Sequence, residues 1–129
     1  LDDVSNYDHA DVKMIDGIPH ARFYMVQVRD ASRFGLAGIV LGAPSATNHI
    51  TSAEIQRVKR YSDPKLLKLV PGLGAQGGEV STLTKYFNPL ELIPNVARAS
   101  MFPKGQYSST EDWVATAKNY RDMLNRLKN

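Results

Sequence analysis

From residue 38 onward, short apolar runs alternate with amphipathic stretches, and this alternation limits the possible folds more than any other feature. Gly38-Ile39-Val40-Leu41-Gly42 is an apolar run bounded by glycine. It predicts a strand buried on both faces, as in parallel sheets. Ile55, Val58 and Tyr61 follow at i, i+3 and i+6, with Gln56, Arg57, Lys59 and Arg60 on the other face. That period predicts a helix. Thr51 and Glu54 have capping-box spacing at its start, and Ser62-Asp63-Pro64 ends it. Leu66 to Val70 reads as a second strand, Glu79 to Phe87 as a short helix, and Leu90 to Ala97 as a third strand. Residues 102–107 read as a loop. The last helix is expected over 110–127, with Ser109 and Asp112 at capping-box spacing. Trp113, Ala117, Tyr120, Leu124 and Leu127 form its apolar stripe and are expected to pack into the core. Strand and helix in this order build a parallel α/β sheet.

The first part of the chain fits less well. Residues 1–22 read as an irregular segment, rich in Asp, with His9 and His20. Phe23-Tyr24-Met25-Val26-Gln27-Val28 is rich in β-formers and predicts a strand. Only about nine residues then separate it from the strand at 38. A parallel crossover needs about a dozen or more. Either the first strand is antiparallel or placed elsewhere, or a helix is missing.

Length bounds the whole. The chain has 129 residues. It suits a single domain over 1–129 but is too short for a complete (β/α)₈ barrel, which needs about 200 residues or more. There is no cysteine, so disulfides and thiolate metal sites are excluded. Sixteen Lys and Arg against thirteen Asp and Glu give a net charge of +3, with no long basic run. No nucleic-acid partner is expected from so small an excess. No apolar run reaches the roughly 20 residues that cross a bilayer, so no membrane partner is expected. The acidic, polar first residues lack the basic and apolar regions of a signal peptide. A cytoplasmic location is the expectation.

Two segments carry chemistry. Pro71-Gly72-Leu73-Gly74-Ala75-Gln76-Gly77-Gly78 follows a strand and precedes a helix. Four glycines let backbone N–H groups approach an anion, and Gln76 adds an amide donor. One strand later comes Asn95-Val96-Ala97-Arg98-Ala99. An Arg at the C-terminal end of a barrel strand faces the ligand mouth and binds phosphate through two parallel hydrogen bonds. A flexible connector and a surface ion pair are the plainer readings of the two.

Together these segments resemble the orotidine 5′-monophosphate decarboxylase family. Val70 to Gly78 is similar to that family's PGIGAQGG loop, and Asn95 to Ala99 to its VGRAI segment, with Ala97 in place of glycine. Gly38 to Ala43 resembles the family's sixth strand, and helix 110–127 its closing helix. The resemblance implies an α/β fold corresponding to the C-terminal strands and helices of a (β/α)₈ barrel. It implies a lyase that decarboxylates orotidine 5′-monophosphate to uridine 5′-monophosphate in pyrimidine synthesis, with no cofactor and no metal. Gln76, Gly77, Gly78 and Arg98 would bind the substrate phosphate, and Pro71 would line the pyrimidine side of the pocket.

A second likeness lies upstream. Asp11-Val12-Lys13-Met14-Ile15-Asp16 fits the superfamily's Asp-x-Lys-x-x-Asp signature. On a strand, residues 11 and 13 share a face. By the resemblance Lys13 would protonate the carbon left by CO₂, and Asp11 and Asp16 would position it, the latter for a neighbouring subunit. The plainer reading is a solvated acidic loop. Gly17 interrupts the family's usual continuation. The implied partners are a nucleotide substrate and either a second copy, as a homodimer, or a second barrel half. Two alternatives stand beside this. One is another sugar-phosphate enzyme of the superfamily, several of which need magnesium. The other is a phosphate-binding half barrel, inactive without a partner chain.

Overall fold

The fold, taken from a computed structural model, is described for residues 5, 7–45, 48, 50–73 and 79–126. A 3₁₀ turn at His9–Asp11 leads into a hairpin of β1 (Val12–Ile15) and β2 (Ile18–Ala21). Asp16 and Gly17 form its turn, with φ of 49° and 76°. Positive φ at both central residues is what a type I′ hairpin turn requires, and Asp-Gly supplies it. Part of the segment expected to be irregular is therefore a regular hairpin.

The next element corrects the sequence expectation. Phe23–Arg33 is a helix, α1, rather than a strand at 23–28. Its buried residues are Met25, Val28 and Ala31, three apart. The helical period outweighs the β-preference of Phe, Tyr and Val. This also removes the crossover problem, since α1 is itself the connection into the sheet.

The sheet follows. β3 (Gly38–Val40), β4 (Leu67–Val70) and β5 (Leu92–Pro94) are parallel and lie in that order. Helix α2 (Ser52–Tyr61) connects the first two, and its capping box is formed: Thr51 accepts from the Glu54 N–H, and Glu54 accepts from the Thr51 N–H. Helix α3 (Val80–Leu83) is shorter than expected. The third strand is shorter too, because Pro89–Glu91 forms a 3₁₀ turn capped by the Asn88 side chain. After β5 come α4 (Arg98–Met101), an extended stretch β6 (Pro103–Gln106) within the expected loop, and α5 (Thr110–Arg126).

Alternation along β4 sorts the two faces. Lys68 and Val70 are buried while Leu67 and Leu69 are exposed. On the buried face Leu41, Val70 and Leu92 pack with Ile55 and Val58 of α2, Leu83 of α3, and Phe87. The other face carries Val40, Leu67, Leu69 and Ile93, all exposed. Helices thus cover one side of the sheet, while the side that would face a barrel interior is bare.

Helix α5 buries none of its described residues. Leu124 rests against the core, but Trp113 is 46% exposed, contrary to its expected core role. Its indole N–H donates to the Met101 carbonyl at 2.9 Å, so Trp113 ties α5 to α4. Leu127 lies outside the described residues.

Candidate functional site

The C-terminal ends of β3, β4 and β5 are joined by backbone hydrogen bonds. The Ala43 N–H donates to the Pro71 carbonyl at 3.0 Å, and the Asn95 N–H to the Val70 carbonyl at 2.9 Å. The Glu79 N–H donates to the Pro44 carbonyl at 3.1 Å. Both ends of the glycine loop are therefore held against the loop after β3. Gly72 has a φ of 96°, a left-handed conformation that glycine adopts without strain. Pro71 is half-buried at this edge. Gln76, Gly77 and Gly78 lie outside the described residues.

Arg98 begins α4, four residues beyond the end of β5. It is exposed and pairs with no carboxylate among the described residues. It lines a cleft of about 680 Å³ with Ala99, Phe102, Thr116 and Tyr120. The cleft is walled by α4 and α5, and Arg98 follows β5 at the same end of the sheet at which Pro71 follows β4. A guanidinium with no ionic partner among the described residues is available to an anion.

A small motif supports the neighbouring strand end. Asn48 donates from Nδ2 to the Ala43 carbonyl at 3.0 Å, and its N–H donates to Ser45 Oγ at 3.0 Å. A Cβ at Gly42 would lie 2.5 Å from Asn48 Nδ2. Glycine there leaves room for the amide that braces the loop.

The structure does not bring Asp11, Lys13 and Asp16 together. Asp11 sits in the 3₁₀ turn, only 4% exposed, and its side chain faces α2. Arg57 Nε donates to its Oδ1 at 2.5 Å, while Arg60 and Tyr61 donate to its Oδ2 at 3.1 and 2.9 Å. Burial pushes its carboxyl up, but hydrogen bonds from Arg57 and Tyr61 and the charges of Arg57 and Arg60 outweigh this and hold it below the usual range. Lys13 is exposed on β1 opposite His20, with no carboxylate partner among the described residues. Asp16 is exposed in the hairpin turn. The expected meeting of Asp11 and Lys13 on one strand face does not form, because residue 11 precedes the strand. None of the three stands at the end of a parallel strand.

A buried charge pair was missed from sequence. Lys68 is fully buried, and its Nζ donates to Glu91 Oε2 at 2.9 Å. Burial raises the Glu91 carboxyl, yet the Lys68 hydrogen bond and the charges of Lys68 and Lys59 bring it below its usual range. The signal was present: Lys68 shares strand parity with Leu66 and Val70, both buried.

No protein-family model matches the chain. Three curated relatives are named orotidine 5′-phosphate decarboxylase. That of Roseiflexus sp. (strain RS-1) is 31% identical over 125 residues, covering 93% of this chain and 43% of the relative. That of Dehalococcoides mccartyi is 29% identical over 134 aligned positions, covering 96% and 47%. That of Variovorax paradoxus is 33% identical over 96 residues, covering 73% and 32%. The chain spans about half the length, or less, of these relatives. A solved structure from Toxoplasma gondii, provisionally named an orotidine-monophosphate decarboxylase, superposes with a TM-score of 0.61. It is 18% identical and covers 99% of this chain and 47% of its own, so the likeness is one of fold. Among the described residues no helix is long and apolar enough to cross a membrane. In sequence and in fold, the chain is similar to orotidine 5′-phosphate decarboxylases over under half of their length, with the architecture of part of a (β/α)₈ barrel.

Proposed function

We propose that the chain supplies the phosphate-binding end of a nucleotide-decarboxylating barrel, with orotidine 5′-monophosphate as substrate and uridine 5′-monophosphate as product. The observation that carries this reading is the placement of Arg98. It follows β5, one strand after the glycine loop, at the same end of the sheet and without an ionic partner among the described residues. Gln76, Gly77 and Gly78 complete the proposed grip, and Pro71 lines the pocket beside it. The names of the three relatives give the substrate class.

The chemistry needs more than this chain displays. Asp11 is committed to α2, and among the described residues Lys13 has no carboxylate partner to keep it positioned. The bare apolar face of Val40, Leu67, Leu69 and Ile93 calls for further strands. We place the proton donor among those strands, supplied by another part of the protein or by a second chain. The test is loss of the orotidine 5′-monophosphate absorbance band. This chain alone is expected to bind uridine 5′-monophosphate without turning over substrate. Turnover by the chain alone, abolished in Lys13→Ala, would restore the Asp11, Lys13 and Asp16 trio and overturn this division of labour.

A further inference from the structure

Lysine is rarely found fully buried, and when buried it is paired. Lys68 points from β4 into the helix-covered face with Leu66 and Val70. Its Nζ lies 2.9 Å from Glu91 Oε2 and 4.8 Å from the centre of the Phe87 ring. The other Glu91 oxygen faces Lys59 Nζ at 3.6 Å. Glu91 is the residue immediately before β5. A charge on one strand is thus fastened to the root of the next.

The ladder between these strands is short. Lys68, Leu69 and Val70 face Leu92, Ile93 and Pro94, and one further bond joins Asn95 to Val70. A slip of one residue would shift β5 by about 3.3 Å and turn its side chains to the opposite face. Pro71, Gly72 and Leu73 follow directly from β4, and Arg98 follows β5 by four residues, so their separation depends on this register. A site built from both must be held to about 0.5 Å. An apolar pair at 68 and 91 would hold the strands together with comparable strength but without marking one register.

We infer that Lys68 is a positioning residue for the proposed phosphate site: its ion pair with Glu91 locks β5 against β4 and so fixes Arg98 relative to Pro71, Gly72 and Leu73, which follow β4. The functional consequence rests on the nucleotide reading above, whereas the register lock itself does not.

The cysteine-free chain allows a direct test. Spin labels on Glu79→Cys and Met101→Cys report the distance between the end of the glycine loop and the end of α4. With Lys68 present, one narrow distance is expected. Lys68→Met, which keeps the packing on Phe87, should broaden or shift it while circular dichroism still shows the fold. The same variant should lower the preference for uridine 5′-monophosphate over uridine at least fivefold. A role in stability alone would lower the melting temperature and leave both readouts unchanged in the folded fraction. Glu91→Gln serves the same purpose if Lys68→Met does not fold. An unchanged distance in the folded variant overturns the inference. A changed distance, with nucleotide preference unmoved in that variant and in Arg98→Ala, upholds the lock and overturns the phosphate reading instead.

Discussion

Three donors converge on the Asp11 carboxylate, and all three come from α2. This ties the N-terminal turn to the rest of the fold, with Arg60 also pairing with Asp8 at 2.9 Å. Because the folded Asp11 titrates below its ordinary value, its contribution is present above the unfolded value of about 3.9 and lost as pH falls through the folded one. Asp11→Asn should therefore cost about 1–3 kcal/mol at neutral pH, as for a lost charged hydrogen-bond partner. It should also flatten the fall in urea midpoint below about pH 4. A wild-type midpoint that declines just as steeply in the variant would show that other carboxylates dominate. Gly38 is a second sensitive residue, since a Cβ there would lie 2.6 Å from the Leu67 carbonyl oxygen. Gly38→Ala is expected to lose about 1–3 kcal/mol by overpacking the β3–β4 pairing, read from chemical denaturation. Residue types told part of this in advance. The glycines of loop 71–78 were read from the sequence, whereas the Asp16-Gly17 turn was passed over within a segment read as irregular. Asp11's partners were not, because they lie more than forty residues away.

Helix α2 was legible from end to end because three local signals agree: the cap, the apolar period and the terminating Pro64. Thr51→Ala removes both the side-chain acceptor for the Glu54 N–H and the hydroxyl bond to Glu54. It should destabilise by about 1 kcal/mol, while Thr51→Ser should be close to neutral. Equal losses in the two variants by urea titration would deny the cap its role. Helix α1 was misread because its residues favour strands one by one, whereas tertiary burial selects the period of Met25, Val28 and Ala31. The stripe on α5 was read as a helix, which it is, and as core-packed, which it is not, since none of its described residues is buried. Among the described residues the Trp113 indole N–H donates to the Met101 carbonyl of α4, and Leu124 makes the contact to the core. Periodicity reveals a face that can be covered; it does not reveal what covers it.

One sheet face is packed and the other is bare, and this asymmetry defines the molecule. It follows from the alternation along β4, where Val70 is fully buried and Leu69 is 38% exposed. Val70→Ala should cost about 2 kcal/mol, whereas Leu69→Ser in the chain alone should change stability by less than about 0.5 kcal/mol. Comparable losses at the two positions would mean that the second face is covered in solution. The shortness of the chain agrees with this: the parallel strand order of a barrel is present within 129 residues, fewer than a closed barrel needs. The proposed binding of a nucleotide phosphate at the end of the sheet shared by the glycine loop and Arg98 is open to a direct test. The most direct measurement is backbone amide chemical-shift mapping during titration with uridine 5′-monophosphate. Shifts are expected to concentrate at residues 71–79 and 95–99 and to be lost in Arg98→Ala. Shifts centred on the hairpin at residues 12–21, unaffected by Arg98→Ala, would contradict it.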